Sequence, residues 1–239
     1  MTDTTIPTSH GDMPAYVARP QGSGPWPAVV VISDVFGMTR DLRAQAEWLA
    51  GEGFLAAAPD VFYWGGKITC LRTIFRDMLS RKGRTFDEVD AVRVWLTKQP
   101  ACTGKVGVIG FCMGGGFALL LAPRHGFAAS SVNYGMIPKD VDSVLAGACP
   151  VVGSFGAKDR SLRGAAAKLE RALTVNGVPH DVKEYADAGH SFLNEHRPGD
   201  ISLLMRVMAK VSGSAYQEPS ARDARLRIAG FFREHLAAG

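Results

Sequence analysis

Between Val106 and Ala122 the chain reads V-G-V-I-G-F-C-M-G-G-G-F-A-L-L-L-A: an apolar run, a glycine-rich break, then a second apolar run. The first run suits a buried strand and the second a buried helix. A strand can turn directly into a helix over so few residues only if the positions two before and two after the apex carry no bulk. Gly110 and Gly114 stand at those positions around Cys112. This is the spacing of a nucleophile elbow, with cysteine at the apex. The first N–H groups and the positive dipole end of the following helix would stabilise negative charge on its sulfur. A buried, inert cysteine in a glycine-rich turn is the alternative reading.

An elbow of this kind belongs to a sheet whose strands feed helices, and the rest of the chain has that rhythm. Ala28 to Ile32 and Phe54 to Ala58 are short apolar runs without alternation, as expected of strands covered on both faces. Leu42, Ala46 and Leu49 recur at helical spacing before Gly51 and Gly53. Thr85 and Glu88 have the T-x-x-E spacing of a capping box, ahead of a Val89, Val92, Leu96 stripe. Tyr16 to Pro20, Lys105 to Phe111, Ala129 to Tyr134, Pro150 to Phe155 and Asp181 to Tyr185 complete the strand candidates, and Ala165 to Val175 is helical. A last helix is predicted over about Ser220 to Leu236, with Leu226, Ala229 and Phe232 inward and Arg222, Arg225 and Arg233 in water. The fold class is α/β, a mostly parallel central sheet flanked by helices on both faces, forming a single domain over residues 1–239. Residues 67–84 and 199–219 are expected to lie outside its core.

Composition removes several function classes. The chain is 46% hydrophobic and 21% charged with a net charge of +4, near the globular average. Its longest apolar run, Phe117 to Ala122, is far short of the ~20 residues of a membrane span. The N-terminus has neither a basic stretch nor an apolar one to mark export, so a cytoplasmic location is expected. Cys70, Cys102, Cys112 and Cys149 include no C-x-x-C pair and no zinc-ligand spacing, so free thiols without metal or cofactor are expected. Neither the modest charge nor any aromatic-basic motif supports nucleic-acid binding. The charge is uneven, however. Lys67, Arg72, Arg76, Arg81, Lys82 and Arg84 face only Asp77 within residues 67–84, which reads as a basic lid or cap or as a solvated helix face.

The partners that a thiolate needs are present in the order nucleophile, acid, histidine. His190, in A-G-H-S-F past the last strand candidate, is the expected base; the other histidines read as surface residues. Asp159, leaving the Val151 to Phe155 strand, is the favoured acid, and Asp187 competes with it from three residues before His190. The backbone N–H of Met113 is the first oxyanion donor. The N–H of Val35, in the loop S-D-V-F-G after an earlier strand, is the natural second. Phe36, Phe62, Tyr63 and Trp64 are candidates for an apolar wall or for plain core.

Together G-F-C-M-G-G, D-V-F-G, A-A-P-D-V-F, G-x-K-D and A-G-H-S-F resemble the dienelactone hydrolase family of α/β-hydrolases, in the family's order from about Tyr16 to Phe192. The resemblance implies a hydrolase of small esters or lactones, of the carboxymethylenebutenolidase type. It puts Cys112, Asp159 and His190 on the triad. It also implies that Asp34 occupies the place of a glutamate that holds the resting thiol, and that Asn194 stands where an arginine grips the substrate carboxylate. A second arginine would come from Arg72, Arg76 or Arg81, with Arg72 chosen here. The implied partner is a small ester or lactone, anionic ones included, with neither nucleic acid nor membrane. A non-enzymatic receptor on the same fold, an esterase or thioesterase of different range, and a thiol redox protein using Cys70 are the competing readings.

Overall fold

The computed structural model describes residues 1–197, 199 and 215–237. In chain order the elements are β1 (Thr2–Thr8), β2 (Gly11–Ala18), β3 (Trp26–Ile32), α1 (Arg40–Gly51), β4 (Leu55–Pro59), α2 (Lys67–Ser80) and α3 (Arg84–Thr97). They continue with β5 (Cys102–Phe111), α4 (Met113–Leu121), β6 (Ala129–Asn133), α5 (Val141–Val144), β7 (Val151–Gly156), α6 (Ala165–Val175), β8 (His180–Tyr185) and α7 (Glu218–His235).

One eight-stranded sheet runs in the order β1-β2-β4-β3-β5-β6-β7-β8. β1 and β2 form an antiparallel hairpin, and β2 is antiparallel to β4. All other neighbours are parallel. This is the mostly parallel α/β architecture that the apolar runs predict. Along β3, Ala28, Val30 and Ile32 enter the core on the face covered by α2, α3, α4 and α6. Val29 and Val31 enter the core beneath α1 and α7. Burial on both faces is why such strands lack polar alternation.

Four features differ from the sequence reading. β1 is a strand, concealed by its polar residues and Pro7, with only Ile6 fully buried. Residues 67–80 are a regular helix, α2, which buries Cys70, Ile74, Asp77 and Met78. The T-x-x-E motif is not a capping box: α3 is capped at Gly83 without a side-chain bond. Thr85 N and Oγ1 instead donate to Asp77 Oδ2 at 3.0 and 3.1 Å, while Glu88 pairs with Arg84. In α7, Ile228, Ala229 and Phe232 face inward and Leu226 is 63% exposed. Arg225 turns in over Trp48, its guanidinium 5.6 Å from the ring. Of the stretch 199–219, residues 200–214 lie outside the described residues.

Candidate active site

The elbow is built from backbone fit. Cys112 follows β5 and precedes α4 at φ 53°, ψ −111°, a strained conformation for a residue with a side chain. A Cβ on Gly110 would overlap the carbonyl of Gly114, and one on Gly114 would overlap the carbonyls of Ile32 and Ser33. Both glycines are therefore required, and the second contact seats the start of α4 against the loop leaving β3. Cys112 N donates to Asn133 O at 3.1 Å, fixing the apex to β6. As the first residue of α4, Met113 has an N–H without an intrahelical acceptor.

The other two residues arrive from the ends of β7 and β8. Asp159 caps a short 3-10 turn, its Oδ1 accepting from Ser161 N at 2.9 Å and Ser161 Oγ at 2.6 Å. Its Oδ2 lies 2.6 Å from His190 Nδ1, and His190 Nε2 lies 3.1 Å from Cys112 Sγ. A Cβ on Gly156 would collide with the carbonyls of Ala188 and Gly189, so β7 abuts the turn that carries His190. The ring of buried Tyr134 packs edgewise on that of His190, with centroids 5.3 Å apart. Asp187 is 79% exposed and pairs with Lys158, leaving Asp159 as the carboxylate on the ring.

Electrostatics follow from this geometry. Burial works against a charged imidazole, but hydrogen bonds and electrostatic attraction to Asp159 and Cys112 outweigh it and raise His190 to about 10. The surroundings of the ring therefore favour its protonated form, facing Sγ. Burial likewise opposes ionisation of Asp159, yet hydrogen bonds from His190 and Ser161 keep its carboxyl below the usual range.

The remaining expected site residues are more dispersed. Asp34 is 5% exposed, and no hydrogen bond joins it to Cys112 among the described residues. Its Oδ1 accepts from Phe36 N at 2.8 Å and its Oδ2 meets His196 Nε2 at 2.8 Å. Val35 lies between these anchored positions. Phe36 packs against His196 and carries Lys67 Nζ 5.6 Å from its ring centre. Asn194 is buried: its Oδ1 accepts from Tyr134 Oη and its Nδ2 donates to Asp41 Oδ2, both at 2.5 Å. Arg72 is exposed on the outer side of α2, in a groove with Phe75, Arg76 and Leu79. Phe62, Tyr63 and Trp64 pack on the core beneath α2 and α3. Sequence reasoning passed over Tyr134, Ser161, Asp41 and His196. Only Ser161 left a local signal, as the second residue after an aspartate at a strand exit.

The parallel sheet, the elbow after a central strand, and the acid and histidine after later strands define an α/β-hydrolase. Residues 13–236 match the family model described as "Dienelactone hydrolase family". The chain belongs to that family and is an ester hydrolase of its type. A Salmonella typhimurium protein assigned as a carboxymethylenebutenolidase is 28% identical over 249 residues, 97% of this chain and 86% of that protein. A Yersinia pestis protein with the same assignment is 27% identical over 250 residues, 98% of this chain and 88% of that one. A crystal structure assigned as a dienelactone hydrolase from Klebsiella pneumoniae superposes with a TM-score of 0.78 at 27% identity, covering 98% of each chain.

Proposed function

We propose that this hydrolase opens a small ester or lactone through a thioester intermediate on Cys112, with His190 and Asp159 completing the triad. The observation that carries the reading is the His190 ring, bridging Cys112 Sγ at 3.1 Å and Asp159 Oδ2 at 2.6 Å. The sulfur, passing its proton to Nε2, attacks the acyl carbon while Asp159 holds the ring orientation and stabilises its charge. The carbonyl electron pair moves onto oxygen, where the N–H groups of Val35 and Met113 receive it; such a donor is worth about 3 kcal/mol. Collapse expels the alkoxide or enolate, which takes the Nε2 proton and leaves a thioester. Water then gives a proton to neutral Nε2 as its oxygen attacks the thioester, and the second collapse releases the acid and leaves Sγ and Nε2 sharing one proton, as at the start.

The chemistry needs a cysteine kept reduced, as in a cytoplasmic compartment. Cys70, fully buried with its Sγ 3.5 Å from Phe62 O, is a poor resolving thiol for the redox reading. The test is a panel of neutral and carboxylate-bearing esters, lactones including dienelactone, and thioesters, assayed with the parent and Cys112→Ala. Turnover by the parent, a thioester adduct visible by mass spectrometry, and loss of at least about 10³-fold in the variant are expected. Binding without turnover across the panel would replace the hydrolase mechanism with the receptor reading, and an active Cys112→Ala would end the role of the sulfur.

A further inference from the structure

We infer that His196 is a positioning residue that holds the oxyanion loop in register through Asp34. The inference rests on the reading above, in which Val35 N–H receives the developing charge. Asp34 immediately precedes Val35, and its two carboxylate oxygens act in different directions. Oδ1 accepts the N–H of Phe36, closing a small turn around Val35. Oδ2 is held by His196 Nε2 at 2.8 Å. The His196 ring also stands edgewise against Phe36, with centroids 4.8 Å apart. Both flanks of the Val35 peptide are thus fastened to one imidazole, whose side chain is 11% exposed.

That imidazole comes from the same segment as the catalytic base, six residues beyond it. Between the two histidines, Glu195 N donates to Asp41 Oδ1 at 2.7 Å and Asn194 Nδ2 donates to Asp41 Oδ2 at 2.5 Å. Asp41 is buried at the start of α1, directly after the oxyanion loop. The His190 segment and the Val35 loop are therefore tied at two carboxylates, Asp34 and Asp41. These ties set the separation between the base and the oxyanion donor. Asn194 is committed to this seam, and the seam explains why the position carries a short amide with both ends occupied.

Asp34 and Asp41 are carboxylates that act on the His196 ring among the described residues, and Lys67 meets Phe36 from α2, its Nζ 3.4 Å from Phe36 O. The positioning role follows from the geometry of these groups and needs no change of charge. An oxyanion donor displaced by about 1 Å loses much of its effect on the transition state while leaving ground-state binding intact.

The test compares His196→Leu, which fills the slot against Phe36 but donates nothing, with His196→Gln, whose amide can still reach Asp34. Two readouts are taken: steady-state hydrolysis of p-nitrophenyl acetate, and the rate at which iodoacetamide alkylates Cys112, which uses no oxyanion hole. His196→Leu should lose about tenfold or more in kcat with KM and alkylation within about twofold of the parent. His196→Gln should regain most of the loss, and Asp34→Ala/His196→Leu should be no slower than Asp34→Ala alone. A kcat for His196→Leu within twofold of the parent, additive losses in the double variant, or alkylation falling in step with kcat would each overturn the inference. Failure of the triad reading has a separate signature, an active Cys112→Ala.

Discussion

A cysteine at φ 53° between two glycines that admit no Cβ is costly to hold, and in the proposed mechanism that cost sets the sulfur against His190. Cys112 faces a ring whose protonated form is favoured by its hydrogen bonds to Asp159 and to the sulfur. The same preference is a statement about stability. A histidine raised to about 10 binds its proton more tightly folded than unfolded, where it titrates near 6.5. Its contribution is complete below pH 6.5 and is lost as pH climbs from there through 10. The parent should therefore lose Tm more steeply between pH 7 and 10.5 than His190→Gln, which has no ring to titrate. Equal slopes in a thermal melt series would show that the folded protein does not hold this proton. Of the candidate site, the juxtaposition of Cys112, His190 and Asp159 is legible because each stands beside a strand exit with a recognisable local pattern. His196 is not legible: its partner Asp34 lies 162 positions away, and nothing near His196 distinguishes it from a surface histidine.

At the scale of elements, the sequence is most readable where physics is local. The apolar runs of β3, β4 and β5 and the stripes of α1 and α6 follow directly from strand and helix periodicity. It misleads where a local motif is satisfied from elsewhere. Thr85 and Glu88 have capping-box spacing, yet the acceptor for Thr85 N and Oγ1 is Asp77, eight residues back on α2. Asp77 is 1% exposed, so it joins the C-terminal turn of α2 to the first turn of α3 where negative charge also suits the helix dipole. Arg76, which is 71% exposed, adds little to that bond. Asp77→Ala should destabilise the fold by about 2–3 kcal/mol, because it leaves buried Thr85 groups without an acceptor. Asp77→Asn, which keeps one acceptor oxygen, should cost about half as much. Urea unfolding checks both. Equal, negligible losses would mean that α3 is anchored by packing alone.

For the whole molecule, the layered sheet was readable from the order of its segments, but the distribution of charge was not, because ion pairing depends on which distant residues folding brings together. The basic stretch 67–84 looks strongly positive along the chain. In the fold, Arg81 takes Asp140 at 2.6 Å and Arg84 takes Glu88 at 2.7 Å, while Arg76 lies on Asp77. Six basic side chains thus face three acids, and the field that could draw an anionic substrate is weaker than the segment suggests. What persists lies close to the proposed site, since Lys67 opens α2 beside Phe36 in the loop after β3. Long-range attraction of this size is screened as the Debye length shrinks from about 30 Å at 0.01 M salt to about 8 Å at 0.15 M. Over that range kcat/KM for a carboxylate-bearing ester should fall about two- to threefold, while that for a neutral ester of the same shape stays level. Lys67→Ala should abolish most of the difference, leaving the neutral ester unaffected. Parallel salt responses for the two esters in the parent would assign the basic segment to solvation of α2 and exclude it from substrate capture.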